Sequence, residues 1–391
     1  MKIVCSNSVV FAEEAFSTLG EVRLLPPREI TAGDIRDADA LVTRSTTRID
    51  RDLLSGSSVR FVGTATIGTD HMDLDNLEEQ GIAWTSASGC NANSVAEYFV
   101  SAMLCLANRH GMTLSDKMIG IVGLGHVGSR VMTMAEKLGM QVLLNDPPRE
   151  RSEGGNGSGQ GLPFLPLEFV LQQADIVTLH TPLTREGVDP THHLAGPLFF
   201  DSLKQGCIFV NAARGAIVDT ATLIRAIDRG TVGHAVIDTW EEEPAYSPEL
   251  LARADLATPH IAGYSFDGLV NGTVRVYHEA CRHFGVEPTW NPDALIPDPE
   301  AKNVTAEAGT SNRDVFLWDI VRQAYDIEAD DRAMRDTCAE SANERGRAFE
   351  QLRKNYPVRR EFHASTTHLT TDQEGMGEIL AGLGFSCSTY T

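Results

Sequence analysis

The residues with the clearest chemical capacity in this chain are three glycines. Gly123-Leu124-Gly125-His126-Val127-Gly128 follows the apolar run Met118 to Val122 and precedes an amphipathic helical pattern, Val131, Met134, Ala135 and Leu138. Glycine at these positions allows a tight turn, close approach of backbone N–H groups to a pyrophosphate, and close packing of helix on strand. The helix start adds unpaired amides and a dipole that favour phosphate charge. A second apolar run, Gln141 to Asn145, ends in Asp146, near the distance expected for a carboxylate that binds a ribose hydroxyl. Such a carboxylate repels a 2′-phosphate and favours NAD over NADP, although Arg149 nearby keeps NADP open. Asp146-Pro147-Pro148 also reads as a turn or a helix cap.

Further polar residues fall just after apolar runs. His180-Thr181-Pro182-Leu183 follows Asp175 to Leu179 and offers a hydroxyl or amide to a cofactor, or simply a proline-ordered turn. Asn211-Ala212-Ala213-Arg214-Gly215 follows Cys207 to Val210, and an arginine flanked by small residues can grip a carboxylate with two parallel hydrogen bonds. Read alone, Arg214 is as well explained by a structural ion pair. Asp238-Thr239-Trp240-Glu241-Glu242-Glu243-Pro244 and Thr258-Pro259-His260 follow the next two runs. A histidine has the right pKa range for moving a proton near neutrality. Individually, His260 reads as a structural residue and Glu243 as part of an acidic surface run. Their succession with Arg214 at consecutive strand ends favours a joint site.

The elements that must position these residues alternate between strand and helix. Expected strands lie at Lys2 to Cys5, Ala40 to Thr43, Val59 to Gly63 and Ile82 to Thr85, with helices at Ala12 to Leu19, Leu74 to Gln80 and Asn91 to Arg109. A second series starts at the Gly-rich turn and continues through Asp175 to Leu179, Cys207 to Val210, Gly233 to Asp238 and Leu256 to Thr258. This alternation is that of parallel α/β sheets, whose ligands bind beyond the carboxyl ends of the strands. A long helix is expected from Asp267 to Phe284, and the proline-containing stretch Glu287 to Glu300 marks a boundary. Beyond it, helices are expected at Asp314 to Tyr325, Ala342 to Lys354 and Asp372 to Leu383, and a strand near Glu361 to Thr366. So small a unit buries little surface alone and is expected to dock on the main body or on a second subunit. The run Gly154 to Gly161 reads as a flexible insertion without chemistry.

Composition narrows the classes. The 391 residues suffice for two or three domains, and 42% hydrophobic residues is ordinary for a globular protein. No apolar run is long enough to span a bilayer and no secretory signal is visible, so a cytoplasmic protein is expected. The seven cysteines are scattered without metal spacing and read as reduced thiols. A net charge of −21 disfavours nucleic acid, no membrane partner is expected in the absence of a long apolar run, and an anion-binding site must gather its own arginines. The acidic, lysine-poor surface fits a salt-adapted host and an ordinary solvated surface equally well. The pair His192-His193 lacks an acidic or cysteine neighbour at ligand spacing, so no metal is expected.

The chain resembles the D-isomer-specific 2-hydroxyacid dehydrogenases. The likeness rests on Gly123 to Gly128, His180-Thr181-Pro182-Leu183, Asn211-Ala212-Ala213-Arg214-Gly215, Asp238 to Pro244, and Thr258-Pro259-His260. It implies two Rossmann-like, doubly wound parallel-sheet domains and a small C-terminal α/β dimerisation domain. The corresponding boundaries are a substrate-binding domain at 1–93 completed by 259–286, an NAD-binding domain at 94–258 and a dimerisation domain at 287–391. It also implies Arg214, Glu243 and His260 as the catalytic set, and cofactor contacts at Gly123, Gly125, His126, Val127, Gly128, Asp146, Thr181, Ala212, Asp238 and Gly263.

A narrower likeness within the family covers nearly the whole chain. It is carried by Arg44-Ser45-Thr46, Gly63 to His71, Ser88-Gly89-Cys90-Asn91-Ala92, Asn145-Asp146-Pro147-Pro148-Arg149, His260-Ile261-Ala262-Gly263-Tyr264-Ser265 and Leu352 to Glu361. It implies a phosphorylated 2-hydroxy acid as substrate, contacts from Ser45, Thr66 and Tyr264, anion attraction by Arg44, and a homodimer. Arg359 and Arg360 read either as phosphate ligands reaching a neighbouring subunit or, preferably, as a solvated basic pair. General family motifs leave open a D-3-phosphoglycerate or D-glycerate dehydrogenase, and a different class, an NAD-sensing corepressor.

Overall fold

Each of the two large sheets is built from short, mostly apolar strands in parallel register, with its central strands buried. In the computed structural model the described residues are 1–153, 162–306, 312–338, 341–370 and 373–390. The Gly-rich run at 154–161 lies outside them. The chain divides into two compact units, Met1–Ala92 with Tyr264–Pro297, and Asn93–Gly263 with Asp298–Thr391.

The first unit holds a five-stranded sheet of β1 (Lys2–Ser6), β2 (Glu21–Leu25), β3 (Ala40–Thr43), β4 (Phe61–Thr64) and β5 (Ala83–Ser86), in the order β2-β1-β3-β4-β5. All neighbours are parallel. β3 and β4 are buried along their whole length, as strands covered on both faces must be. β2 is the partly exposed edge, and its charged, alternating sequence hides it from an apolar-run reading. The helix Phe266–Phe284 packs its Val276-Tyr277-Ala280-Cys281 face into the core shared with Ile3, Val42 and Phe61. It starts at Ser265, whose hydroxyl accepts from Gly268 N, and stops at Gly285 in the left-handed region. A Cβ on Gly63 of β4 would lie 2.3 Å from Val276, so this close approach of helix to strand requires glycine.

The second unit holds β6 (Met118–Val122), β7 (Gln141–Asn145), β8 (Ile176–Leu179), β9 (Cys207–Asn211), β10 (Val232–Ile237) and β11 (Leu256–Ala257), ordered β11-β10-β9-β8-β6-β7. The sheet is again parallel, and strand order reverses between β6 and β8, the switch point at which a doubly wound sheet binds its ligand. A small parallel sheet of β12 (Asn303–Val304), β13 (Thr366–Thr370) and β14 (Ser386–Tyr390) belongs to the same unit, with the helix Glu374–Leu383 as the crossover between β13 and β14.

The strand expected near Glu361 to Thr366 instead begins at Thr366, and Phe362–Ala364 is a short 3-10 turn. Side chains fix that turn. Buried Glu361 accepts from Asn93 Nδ2 and Ser94 Oγ, while Phe362 N donates to Glu97 Oε1. Of the helix expected from Asp372, the first residue lies outside the described residues. The helix Ile327–Arg335, capped by Asp326, is a further element that the sequence reading did not identify.

Candidate active site

The turn after β6 assigns a distinct physical task to each glycine. Gly123 has φ +92°, and a Cβ there would sit 2.9 Å from the His180 and Thr181 backbone. A Cβ on Gly128 would lie 2.0 Å from the Gly123 carbonyl oxygen, so only glycine lets the helix His126–Lys137 start so close to the turn. Around Gly125, the N-cap of that helix, a Cβ would meet nothing within 4 Å. That open space beside unpaired helix-start amides is shaped for a pyrophosphate. His126 is exposed, Val127 half-buried, and Thr181 Oγ1 is buried with no protein partner. A buried hydroxyl without a partner calls for a ligand group or water. Asp146 accepts from Leu124 N at 2.7 Å and from Arg149 N at 3.0 Å, so it braces the Gly-rich turn and caps the helix Pro147–Ser152. Arg149 is engaged locally, with Leu124 O at 2.7 Å and Glu153 at 2.5 Å. These residues fit a dinucleotide.

Arg214, Glu243 and His260 stand on the loops after three adjacent strands, β9, β10 and β11. Asn211 shapes the first loop, accepting from Ala213 N and donating to Arg214 O. Half-buried Arg214 donates from Nη1 to Ala213 O at 2.9 Å. A Cβ on Gly215 would lie 1.9 Å from the Trp240 carbonyl, so the Arg214 loop rests directly on the backbone that leads to Glu243. The second loop is anchored by buried Trp240, whose Nε1 donates to Thr258 O at 2.9 Å and whose N–H faces Glu243 Oε2 at 3.3 Å. Glu243 Oε1 meets His260 Nδ1 at 2.6 Å, with both side chains about one quarter exposed (27% and 26%). Burial raises the Glu243 carboxyl, but attraction to His260, their hydrogen bond, the Arg353 charge and the Trp240 N–H outweigh it. The net direction is below the usual range.

His260 sits at φ +56°, a left-handed conformation that a non-glycine residue holds only when its surroundings insist. Asp238 does the insisting. Its Oδ1 accepts from Thr258 Oγ1 at 2.7 Å and Ile261 N at 2.8 Å, its Oδ2 accepts from Ala262 N at 3.0 Å, and its own carbonyl accepts from His260 N at 2.8 Å. Burial pushes the Asp238 carboxyl up, against the pull of His260 and these donors. Ala212 and Gly263 are half-buried on the first and third of these loops.

In the first unit, Arg44 follows β3 and lies with its guanidinium carbon 5.4 Å from the Tyr264 ring centroid. Its Nε is buried without a hydrogen-bond partner. Burial pushes the Cys90 thiol up to about 11 against the pull of Arg44 and Arg275. Ser45 is exposed. Thr66 Oγ1 contacts Thr64 Oγ1 at 2.8 Å and donates to Gly68 O, and Thr64 Oγ1 in turn meets His71 Nε2 at 3.0 Å.

Arg359 corrects the expectation of a solvated basic pair. It is buried, at 7% exposure, with its guanidinium carbon 4.2 Å from the Tyr325 ring centroid and Nη2 donating to Ala262 O at 2.7 Å. Tyr325 and Tyr356 both donate to Asp330 Oδ2, at 2.9 and 2.8 Å. The C-terminal segment thus grips the loop that carries His260. It also touches the loop of Glu243, because Gly346 abuts Pro244. The tyrosines flanking Asp330 and Arg359 were the available signal, but nothing local points from them to Ile261-Ala262. His193 Nε2 pairs with Glu241 Oε1 at 2.5 Å, an acidic partner remote in sequence.

Residues 100–262 match the model of the D-isomer specific 2-hydroxyacid dehydrogenase, NAD binding domain, and residues 295–384 match a domain of unknown function. An erythronate-4-phosphate dehydrogenase of Salinibacter ruber is 44% identical over 94% of this chain and 93% of its own length. The enzyme of that name from Cronobacter sakazakii is 41% identical over 100% of this chain and 99% of its own. Among solved structures, the NAD+-bound 3-phosphoglycerate dehydrogenase of Entamoeba histolytica is similar, with a TM-score of 0.61 and 26% identity over 74% of this chain and 98% of its own.

Proposed function

The chain belongs to the erythronate-4-phosphate dehydrogenases, within the D-isomer-specific 2-hydroxyacid dehydrogenases, and from that premise we propose that it oxidises 4-phospho-D-erythronate at C2 with NAD. The products are (R)-3-hydroxy-2-oxo-4-phosphobutanoate and NADH, a step toward pyridoxal 5′-phosphate. The observation that carries this reading is the 2.6 Å contact between His260 Nδ1 and Glu243 Oε1. With Nδ1 held, Nε2 is the nitrogen that takes the C2 hydroxyl proton, as C2–O becomes a carbonyl. Glu243 fixes the tautomer and stabilises the imidazolium that forms. Arg214 holds the C1 carboxylate and polarises the C2 oxygen through charge-assisted hydrogen bonds. NAD, when bound, supplies the acceptor for the hydride that leaves C2.

The turn Gly123–Gly128 with His126 and Val127, and Asp146, Thr181, Ala212, Asp238 and Gly263, are assigned to the cofactor. Arg44, Ser45, Thr66 and Tyr264 are assigned to the substrate, with Arg44 drawing in its anionic groups. The dimer is assigned to the C-terminal segment, and light scattering is expected to give twice the mass of one chain; a single-chain mass removes the claim. A cytoplasmic location is supported by seven free cysteines. No described helix is long and apolar enough to cross a membrane.

Purified protein with NAD and each acid, followed at the NADH absorbance, tests the substrate. Turnover of 4-phospho-D-erythronate is expected to exceed that of 3-phosphoglycerate by about 100-fold, the scale on which one missing group is discriminated. Equal or better turnover of 3-phosphoglycerate overturns the assignment.

A further inference from the structure

We propose that His110, His234 and Asp255 form a binding site for a divalent transition-metal cation such as Zn2+, outside the dehydrogenase machinery, that fastens the edge of the second sheet to the long helix. The three come from separate elements: the last residue of the helix Ala92–His110, the middle of β10, and the residue before β11. One potential ligand atom from each lies within 4.8 Å of the others. Asp255 Oδ1 stands 2.9 Å from His234 Nδ1 and 3.7 Å from His110 Nε2. Ligands about 2.1 Å from a tetrahedral zinc ion are separated by about 3.4 Å, so the two spacings bracket the required edge. His110 Nε2 is too far from Asp255 for a hydrogen bond, and no other side-chain partner is found for it among the described residues.

Charge and access favour a cation. The two imidazole rings lie 4.0 Å apart, a separation at which two imidazolium ions repel and two neutral ligands do not. The nearby Arg109 is already paired with Glu328, at 2.7 Å. Asp255 is pre-oriented, because its Oδ2 accepts from Ala235 N at 2.9 Å. All three side chains retain exposure, at 37%, 23% and 22%, so a hydrated ion has a path in and a water completes the shell. β11 is a two-residue edge strand, and a metal there ties its start to the helix end.

Calorimetric titration of Zn2+ into tag-free, chelator-treated full-length protein is expected to show one tight site per chain, and Zn2+ to raise the thermal midpoint. Co2+ in its place is expected to give the intense visible absorption of a tetrahedral complex. His110→Ala, at an accessible helix end, is expected to weaken Zn2+ binding by about tenfold or more and to abolish the thermal shift. His234→Gln is expected to do the same, whereas His192→Ala leaves both unchanged. Absence of stoichiometric binding, or binding undiminished in both site variants, overturns the proposal.

Discussion

His260 and Glu243 divide one task between two side chains, and their separate removal distinguishes the parts. His260→Ala removes the proposed proton acceptor and is expected to lower turnover by about 100- to 10,000-fold while NADH affinity, read by fluorescence titration, stays near the parent value. Glu243→Gln retains a partner for Nδ1 but no charge. Its turnover is expected to fall less, with a changed pH profile of kcat/KM, and an unchanged profile would argue against the pairing. The placement of Arg214, Glu243 and His260 on loops after adjacent strands was legible in the sequence because each follows an apolar run. Asp238 is different. Its motif marks it out, but only the structure reveals that one carboxylate holds Thr258, Ile261 and Ala262 together and thereby sets the backbone of His260.

At the scale of elements, the Gly-rich turn offers a contrast between fold and ligand. Gly128→Ala places a methyl 2.0 Å from a backbone oxygen and is expected to lower the thermal midpoint, with a cost of roughly 1–3 kcal/mol or more from overpacking. Gly125→Val points into open space and is expected to keep the midpoint but weaken NADH binding, because the side chain fills the room left for phosphates. Equal loss of stability in both variants would contradict this division. The turn was readable because its meaning lies within six consecutive residues. Arg359 was not, because its contact is with a carbonyl 97 positions earlier. Arg359→Ala is expected to leave the midpoint lower and kcat reduced about 10- to 100-fold with little change in KM, since the residue positions the His260 loop without touching substrate. Partial recovery in Arg359→Lys is the expected sign of a charge-dependent grip. β2 escaped the sequence reading for a related reason, since an edge strand need not be apolar on both faces.

Across the whole molecule, two half-buried histidines set an acid limit. Burial lowers His71 to about 4 and His180 to about 3. In the unfolded chain both titrate near 6.5, so between that pH and their folded values the unfolded state binds more protons. Stability therefore rises with pH through the window from about 3 to about 6.5 and is lost progressively on acidification. Urea midpoints measured across this range are expected to show that slope, and His71→Gln is expected to flatten part of it. A pH-independent midpoint in the parent protein would contradict the lowered values of both imidazoles. The alternation of strand and helix was enough to anticipate parallel sheets, whereas the incorporation of the C-terminal segment into the second unit depends on contacts too distant for any local pattern to announce.

The hold of Arg359 on Ala262 has a consequence for how the protein is made. Synthesis runs from the amino end, so a nascent chain emerges with its dinucleotide turn complete long before the residue that steadies the imidazole loop has been translated. Competence arrives last. A premature stop upstream of position 359 leaves a polypeptide that still encodes the whole nucleotide fingerprint but lacks the buttress for the loop of His260.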